Sequence, residues 1–142
     1  MILPDVNVLI GAFRADLPQH TLCRPWLVEI VSGDARFGLS TLVLSAVVRI
    51  TTNGRVFKSP SPIDEVFSFC QNLITQPHCE LVEPGERHWD IFRTLCSEAD
   101  VRGPRVSDAW FAALAIESGS EWITLDRDFA RFPGLNWRTP TP

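Results

Sequence analysis

Three stretches of this chain carry acids in places where an acid is costly or conspicuous. In MILPDVNVLI, Asp5 stands among Ile2, Leu3, Val6, Val8, Leu9 and Ile10. A carboxylate in so apolar a setting needs an opposite charge, hydrogen bonds or a bound cation. Asp108 opens the apolar pattern of SDAWFAALAIESG, and Asp126 and Asp128 follow a short apolar run in ITLDRDF. No lysine or histidine lies in any of these motifs. Carboxylates that converge without such a neutralising partner call for a hard divalent cation, and oxygen ligands select magnesium or manganese. Such a cation orients and polarises a phosphodiester and lowers the pKa of a bound water. Hydrolysis of a nucleic-acid backbone is the reaction this set best supports.

These acids can act together only if the fold collects them. The pattern predicts a short buried strand in ILPDV that ends near Asp5, then a helix through VNVLIGAFRA. A second helix is expected from Asp16-Leu17-Pro18 to Gly33, with Pro25 marking a kink. RFGLS reads as a strand, TLVLSAVVRITTN as a helix ended by Asn53-Gly54, and KSPSPIDEVFSFCQNLI as a helix after proline-rich punctuation. CELVEP reads as a strand, and GERHWDIFRTLCSEA as a helix with Trp89, Phe92, Leu95 and Cys96 inward. VRGPRV is then a loop, SDAWFAALAIESG a helix, EWITLD a buried strand and GLNWRTP an edge strand. Strands alternating with helices imply right-handed crossovers and a parallel sheet covered on both faces. Ligands of such a sheet bind beyond the carboxyl ends of its strands. Asp5, Asp108 and Asp126 all fall at that edge, with Asp128 either facing the same pocket or capping the turn at Phe129.

The later acids also have ordinary explanations, and Asp5 is the hardest to explain away. Ser-Asp at a helix start is capping chemistry, which would account for Asp108. Asp126 and Asp128 fit a D-x-D turn. Asp5 follows a buried strand with no cap or turn in evident need of it.

With 142 residues, 45% hydrophobic and 21% charged, the chain is expected to form one domain over residues 1–142 with its own core. The net charge of −4 does not advertise a nucleic-acid binder, although an acidic metal site can coexist with a local basic face. Lys58 is the only lysine, and the other basic residues are arginines, which suit bidentate phosphate contacts. Cys23, Cys70, Cys79 and Cys96 form no C-x-x-C pair, and His20, His78 and His88 lack zinc spacing, so buried reduced thiols are expected. No apolar run approaches the roughly 18 residues of a membrane span, and no signal-like segment opens the chain. A cytoplasmic protein is the expectation.

LPDVNVL, SDAWFAALAIESG and ITLDRDFARFPGL together resemble the three acidic signatures of PIN-domain ribonucleases, and more narrowly of VapC-type toxins of bacterial toxin–antitoxin modules. The resemblance spans almost the whole chain in order and spacing. It implies a three-layer α/β/α sandwich around a mainly parallel sheet and a magnesium-dependent endoribonuclease. It also implies a cognate VapB-type antitoxin and commonly a homodimer. By motif, Asp5 and Asp108 would be the principal metal ligands and Asp126 the later acid, with Thr124 beside it. Asn7 would orient Asp5 by hydrogen bonding, and Asp128 ranks below the others.

One departure from the family pattern stands out. The glutamate usual early in the helix after the second strand is replaced, in this register, by Ala46, and no acid exists between Asp34 and Asp64. Glu117 lies nine residues beyond Asp108, about 13 Å further along the helix and on its other side, which makes it a poor substitute. A single hydrated ion on three aspartates is the favoured consequence. Arg49, expensive to bury alone, should face the pocket or pair with an acid. Arg102 and Arg105, around Gly103-Pro104, are placed to meet substrate phosphates unless they belong to a solvated loop. Trp26, Trp89 and Trp110 sit in helical patterns as core or interface residues, although RNA channels also use aromatic stacking.

Two other functions compete. A metal-dependent phosphatase with Asp5 as nucleophile needs an acid two residues on, and Asn7 cannot donate that proton. A degenerate PIN fold that binds RNA or a partner without cutting is suggested by Ala46.

Overall fold

The computed structural model describes residues 1–142. Five parallel strands form one sheet in the order β3-β2-β1-β4-β5, with β1 at Ile2–Pro4, β2 at Phe37–Leu39, β3 at Cys79–Leu81, β4 at Glu121–Ile123 and β5 at Trp137–Arg138. Between them run α1 (Val6–Phe13), α2 (His20–Ser32), α3 (Thr41–Thr51), α4 (Ile63–Ile74), α5 (His88–Glu98) and α6 (Arg105–Ser118). A 3-10 turn at Arg127–Arg131 precedes β5. The chain winds outward from β1 to β3 and then returns to place β4 on the other side of β1. Right-handed crossovers therefore put α1–α4 on one face and α5–α6 on the other. The α/β/α sandwich expected from the sequence is the observed fold.

The three inner strands, β2, β1 and β4, carry the buried residues of the sheet, while the edge strands β3 and β5 are partly open. Leu3, Phe37, Leu39, Trp122 and Ile123 are fully buried, and helical residues such as Val8, Leu9, Val47, Ala112 and Leu114 close over them. Trp122 stacks on Phe111 and tilts against Phe129, which makes a rigid aromatic floor beneath the carboxyl edge of β4. Gly11 is required by close packing, since a Cβ there would stand 2.8 Å from the Gln19 side chain and 3.0 Å from Cys23 Sγ.

The second helix departs from expectation. It begins at His20, because Asp16 forms an ion pair with Arg14 and does not cap a helix. The helix continues through Pro25. Arg14 is itself buried: it lies over the Phe57 ring and donates to Ser59 O and Ser61 Oγ, fastening the segment after α3 to the end of α1. Trp89, expected inward, is 63% exposed, since α5 buries His88 and Leu95 instead. All four cysteines are free, with Cys23 and Cys70 buried. No helix is long and apolar enough to cross a membrane.

Candidate active site

Strand order reverses direction at β1, and the crevice at the carboxyl ends of β1 and β4 is where ligands of open α/β sheets bind. Asp5 is the residue after β1, and Thr124 the residue after β4. A cleft of about 410 Å³ opens there, lined by Asp5, Asn7, Asp108 and Asp126 and, from α3, by Ser45, Ala46 and Arg49. Phe111 and Phe129 supply its apolar wall. Three of the sequence-predicted acids thus share one cleft, and the slot in which the family pattern has a glutamate faces it as Ala46.

Asp5 does have a cap to make, contrary to the sequence reading. Its backbone is extended, its N–H continues the β1–β4 ladder to Ile123 O (2.8 Å), and its Oδ1 accepts from Val6 N (2.6 Å) to start α1. Its Oδ2 accepts from Thr124 Oγ1 at 2.6 Å. Thr124, fully buried, also accepts from Asp126 N (3.0 Å) and from Asn7 Nδ2 (3.3 Å). Asn7 Oδ1 accepts from Leu125 N at 3.1 Å. Asn7 therefore does not bond Asp5 directly; it braces the Thr124–Leu125 turn that holds Asp5. Every hydrogen bond to the Asp5 carboxylate comes from a neutral donor. Burial, reinforced by the nearby charges of Asp108 and Asp126, pushes its pKa up to about 6 despite those bonds.

The opposite wall is built from α6 and the 3-10 turn. α6 begins at Arg105 after Pro104, so Asp108 lies one turn inside the helix and makes no cap. The capping explanation for Asp108 falls away. Partial burial and the repulsion of Asp126 raise its pKa, opposed by Arg105 and Arg131. Asp126 serves as both a turn residue and a cleft residue: its Oδ1 accepts from Asp128 N (2.9 Å) while the side chain lines the cleft. Asp128 is not a lining residue and is held by Arg105.

The acids are not without a cationic partner. Arg105 Nη1 lies 3.6 Å from Asp108 Oδ2 and 3.8 Å from Asp126 Oδ2, and its Nη2 bonds Asp128 Oδ2 at 2.6 Å. The acidic motifs themselves hold no lysine or histidine, and Arg105 stands in VRGPRV, which reads as a loop. Helical spacing from Arg105 to Asp108 was the available signal. Arg131 carries no such signal in the sequence; it bonds the Asp128 carbonyl at 3.2 Å and its charge reaches Asp108. Arg49 is exposed on the rim without an acidic partner, whereas Arg102 pairs only with Asp100, away from the cleft. Glu117 accepts from Gly85 N and Arg87 N, a structural tie before α5.

The donor set suits a hard cation: hydroxyl and carboxylate oxygens, no thiolate and no imidazole. Asp5 in particular is a buried carboxylate that no cation touches. No three acidic, histidine or cysteine side chains are close enough to enclose an ion unaided.

A family model described as the PIN domain matches residues 2–135. Ribonuclease VapC25 and Ribonuclease VapC31 of Mycobacterium tuberculosis are each 41% identical to this chain over 140 residues, covering 99% of it and 99% of their own length. Among solved structures, VapBC2 from Rickettsia felis bound to a promoter DNA fragment superposes with a TM-score of 0.71 at 17% identity, covering 98% of both chains. VapC20 of Mycobacterium tuberculosis, described as a sarcin-ricin loop cleaving toxin, gives 0.66 at 14% identity over 95% of this chain and 98% of its own. The distant structures share the fold, while the identity to the two mycobacterial ribonucleases fixes the narrower kinship. The chain belongs to the PIN-domain family, among the VapC ribonucleases.

Proposed function

We propose that this chain is a divalent-metal-dependent endoribonuclease, the toxin of a toxin–antitoxin pair that a VapB-type antitoxin neutralises. The observation that carries this reading is Asp5, a buried carboxylate at the sheet's switch point that only neutral donors hold and that shares its cleft with Asp108 and Asp126. Asp5, Asp108 and Asp126 would hold a hydrated Mg²⁺ or Mn²⁺. When bound, that ion supplies the positive charge that polarises a phosphodiester and lowers the pKa of water. Thr124 fixes the Asp5 carboxylate, and Asn7 fixes Thr124. Asp128 stays outside the ligand set as the anchor of Arg105. Arg49, which lines the cleft from α3, and Arg105, beside Asp108 and Asp126, would meet the phosphates that flank the scissile bond. Ala46 leaves its part of the cleft to water.

The names of the 41%-identical relatives support RNA as the substrate, and the toxin–antitoxin complex from Klebsiella pneumoniae among the structural neighbours supports an antitoxin partner. Exposed Val28, Leu42, Ile63, Phe67 and Trp89 offer apolar surface for that partner and for homodimer formation in the cytoplasm. Ala46 also favours a second reading, a fold that binds RNA without cutting it.

Incubating purified, antitoxin-free protein with RNA separates the two. Cleavage should appear with Mg²⁺ or Mn²⁺, stop with a chelator and return on adding the ion. Asp5→Asn should lower the rate by roughly 10²–10³, the scale of losing one preorganised electrostatic contact. Undiminished cleavage in chelator overturns metal dependence, and RNA binding without cleavage under any ion establishes the non-catalytic reading.

A further inference from the structure

Arg105 occupies an improbable position. It is the first residue of α6, where the helix dipole disfavours a cation, and its charge is placed among three aspartates. The acids hold it there. One guanidinium nitrogen, Nη1, lies between Asp108 and Asp126, two of the three residues proposed as ion ligands. The other, Nη2, makes the short 2.6 Å bond to Asp128, which lines no part of the cleft. The side chain is 40% exposed, so water reaches it. The contacts to Asp108 and Asp126 are long and partly exposed, and only the contact to Asp128 is tight. Such a group can give up Asp108 and Asp126 while staying tied to Asp128.

We infer that Arg105 is a tethered cation standing in for the divalent ion in the ion-free protein, and that the ion binds by displacing it. This rests on the metal reading proposed above. A guanidinium and a divalent ion cannot both sit between Asp108 and Asp126 without mutual repulsion. The arginine therefore lowers the ion's apparent affinity while keeping the ion-free carboxylates from repelling one another. Once displaced, it remains on the rim beside Asp128, where an incoming phosphate can meet it.

Titration calorimetry of Mn²⁺ and Mg²⁺ into the chelator-stripped full-length chain tests this without any turnover. Arg105→Gln should bind the ion about five- to tenfold more tightly than wild type, the scale of a few partly exposed charge contacts. Arg105→Lys, which keeps one charge but loses the fork, should fall between them. Arg102→Gln removes the same charge from a site that pairs only with Asp100, and should match wild type. Equal or weaker ion binding by Arg105→Gln overturns the inference while leaving the metal site standing. A gain in Arg102→Gln as large as that in Arg105→Gln also overturns it, since net charge alone would then be responsible. Failure of every form to bind either ion sinks both the inference and the metal reading.

Discussion

On one wall of the cleft, Asp5 is 6% exposed and its oxygens are fixed by Val6 N and Thr124 Oγ1. On the other, the side chains of Asp108 and Asp126 are 27% and 38% exposed and share Arg105 with Asp128, which lies outside the cleft. The first wall holds a charge rigidly and incompletely neutralised; the second holds several charges loosely and already paired. A buried carboxylate that no cation touches is held at a cost to stability, which is tolerated where a ligand supplies the missing charge. Exposed ion pairs contribute little and exchange easily. The cleft thus joins a fixed anchor for a cation to an adjustable rim.

The strongest way to break that contrast is at Thr124. Thr124→Val deletes the donor to Asp5 Oδ2 and the acceptor of two further groups, leaving buried polar atoms unpaired. The expected loss is about 2–4 kcal/mol of stability in chemical denaturation. Ion affinity should fall by roughly 10–100-fold. A variant as stable as wild type would show that Asp5 is not fixed in this way.

A second test uses pH. Asp5 titrates near 6 when folded, against an ordinary value of 3.8, so the folded chain binds more protons than the unfolded chain between those values. Stability of the ion-stripped protein should therefore be highest below pH 4 with respect to this group, fall as pH rises to about 6, and stay low above. The contribution is about 3 kcal/mol at most, and Asp108 shifts in the same direction. Urea denaturation across this range should give a flatter profile for Asp5→Asn than for wild type, and parallel profiles would refute the desolvated charge.

The smallest effect is expected on the rim. Asp128→Asn loosens Arg105 but leaves the three cleft acids in place, so thermal melting should be unchanged and cleavage should stay within about threefold of wild type. A collapse of activity there would move Asp128 into the ligand set and remove the asymmetry between the walls.

Much of this arrangement was legible residue by residue. The apolar strand before Asp5, the helix around Asp108 and the turn after Thr124 follow from local pattern, and the family resemblance supplied their order. The errors were ones of partnership. Asp5 caps α1 because the chain turns immediately after β1, which no spacing rule revealed. Asn7 acts on Thr124 because β4 lies beside β1, a pairing of residues more than a hundred positions apart. Helix α2 starts at His20 because Arg14 recruits Asp16 first, and Trp89 turns outward because α5 buries His88 against Trp110.

Residue types and their order are enough to show which acids are available, that Ala46 fills the glutamate position, and that strands and helices alternate into a parallel sheet. These depend on residue type and short-range periodicity, which the chain carries locally. It takes the packed chain to bring Arg105 among the carboxylates, to make Thr124 the hub between Asp5 and Asn7, and to bury one acid while the others stay wet. Burial and charge pairing are set by what comes alongside from elsewhere in the chain, and it is burial that makes Asp5 different from the other aspartates.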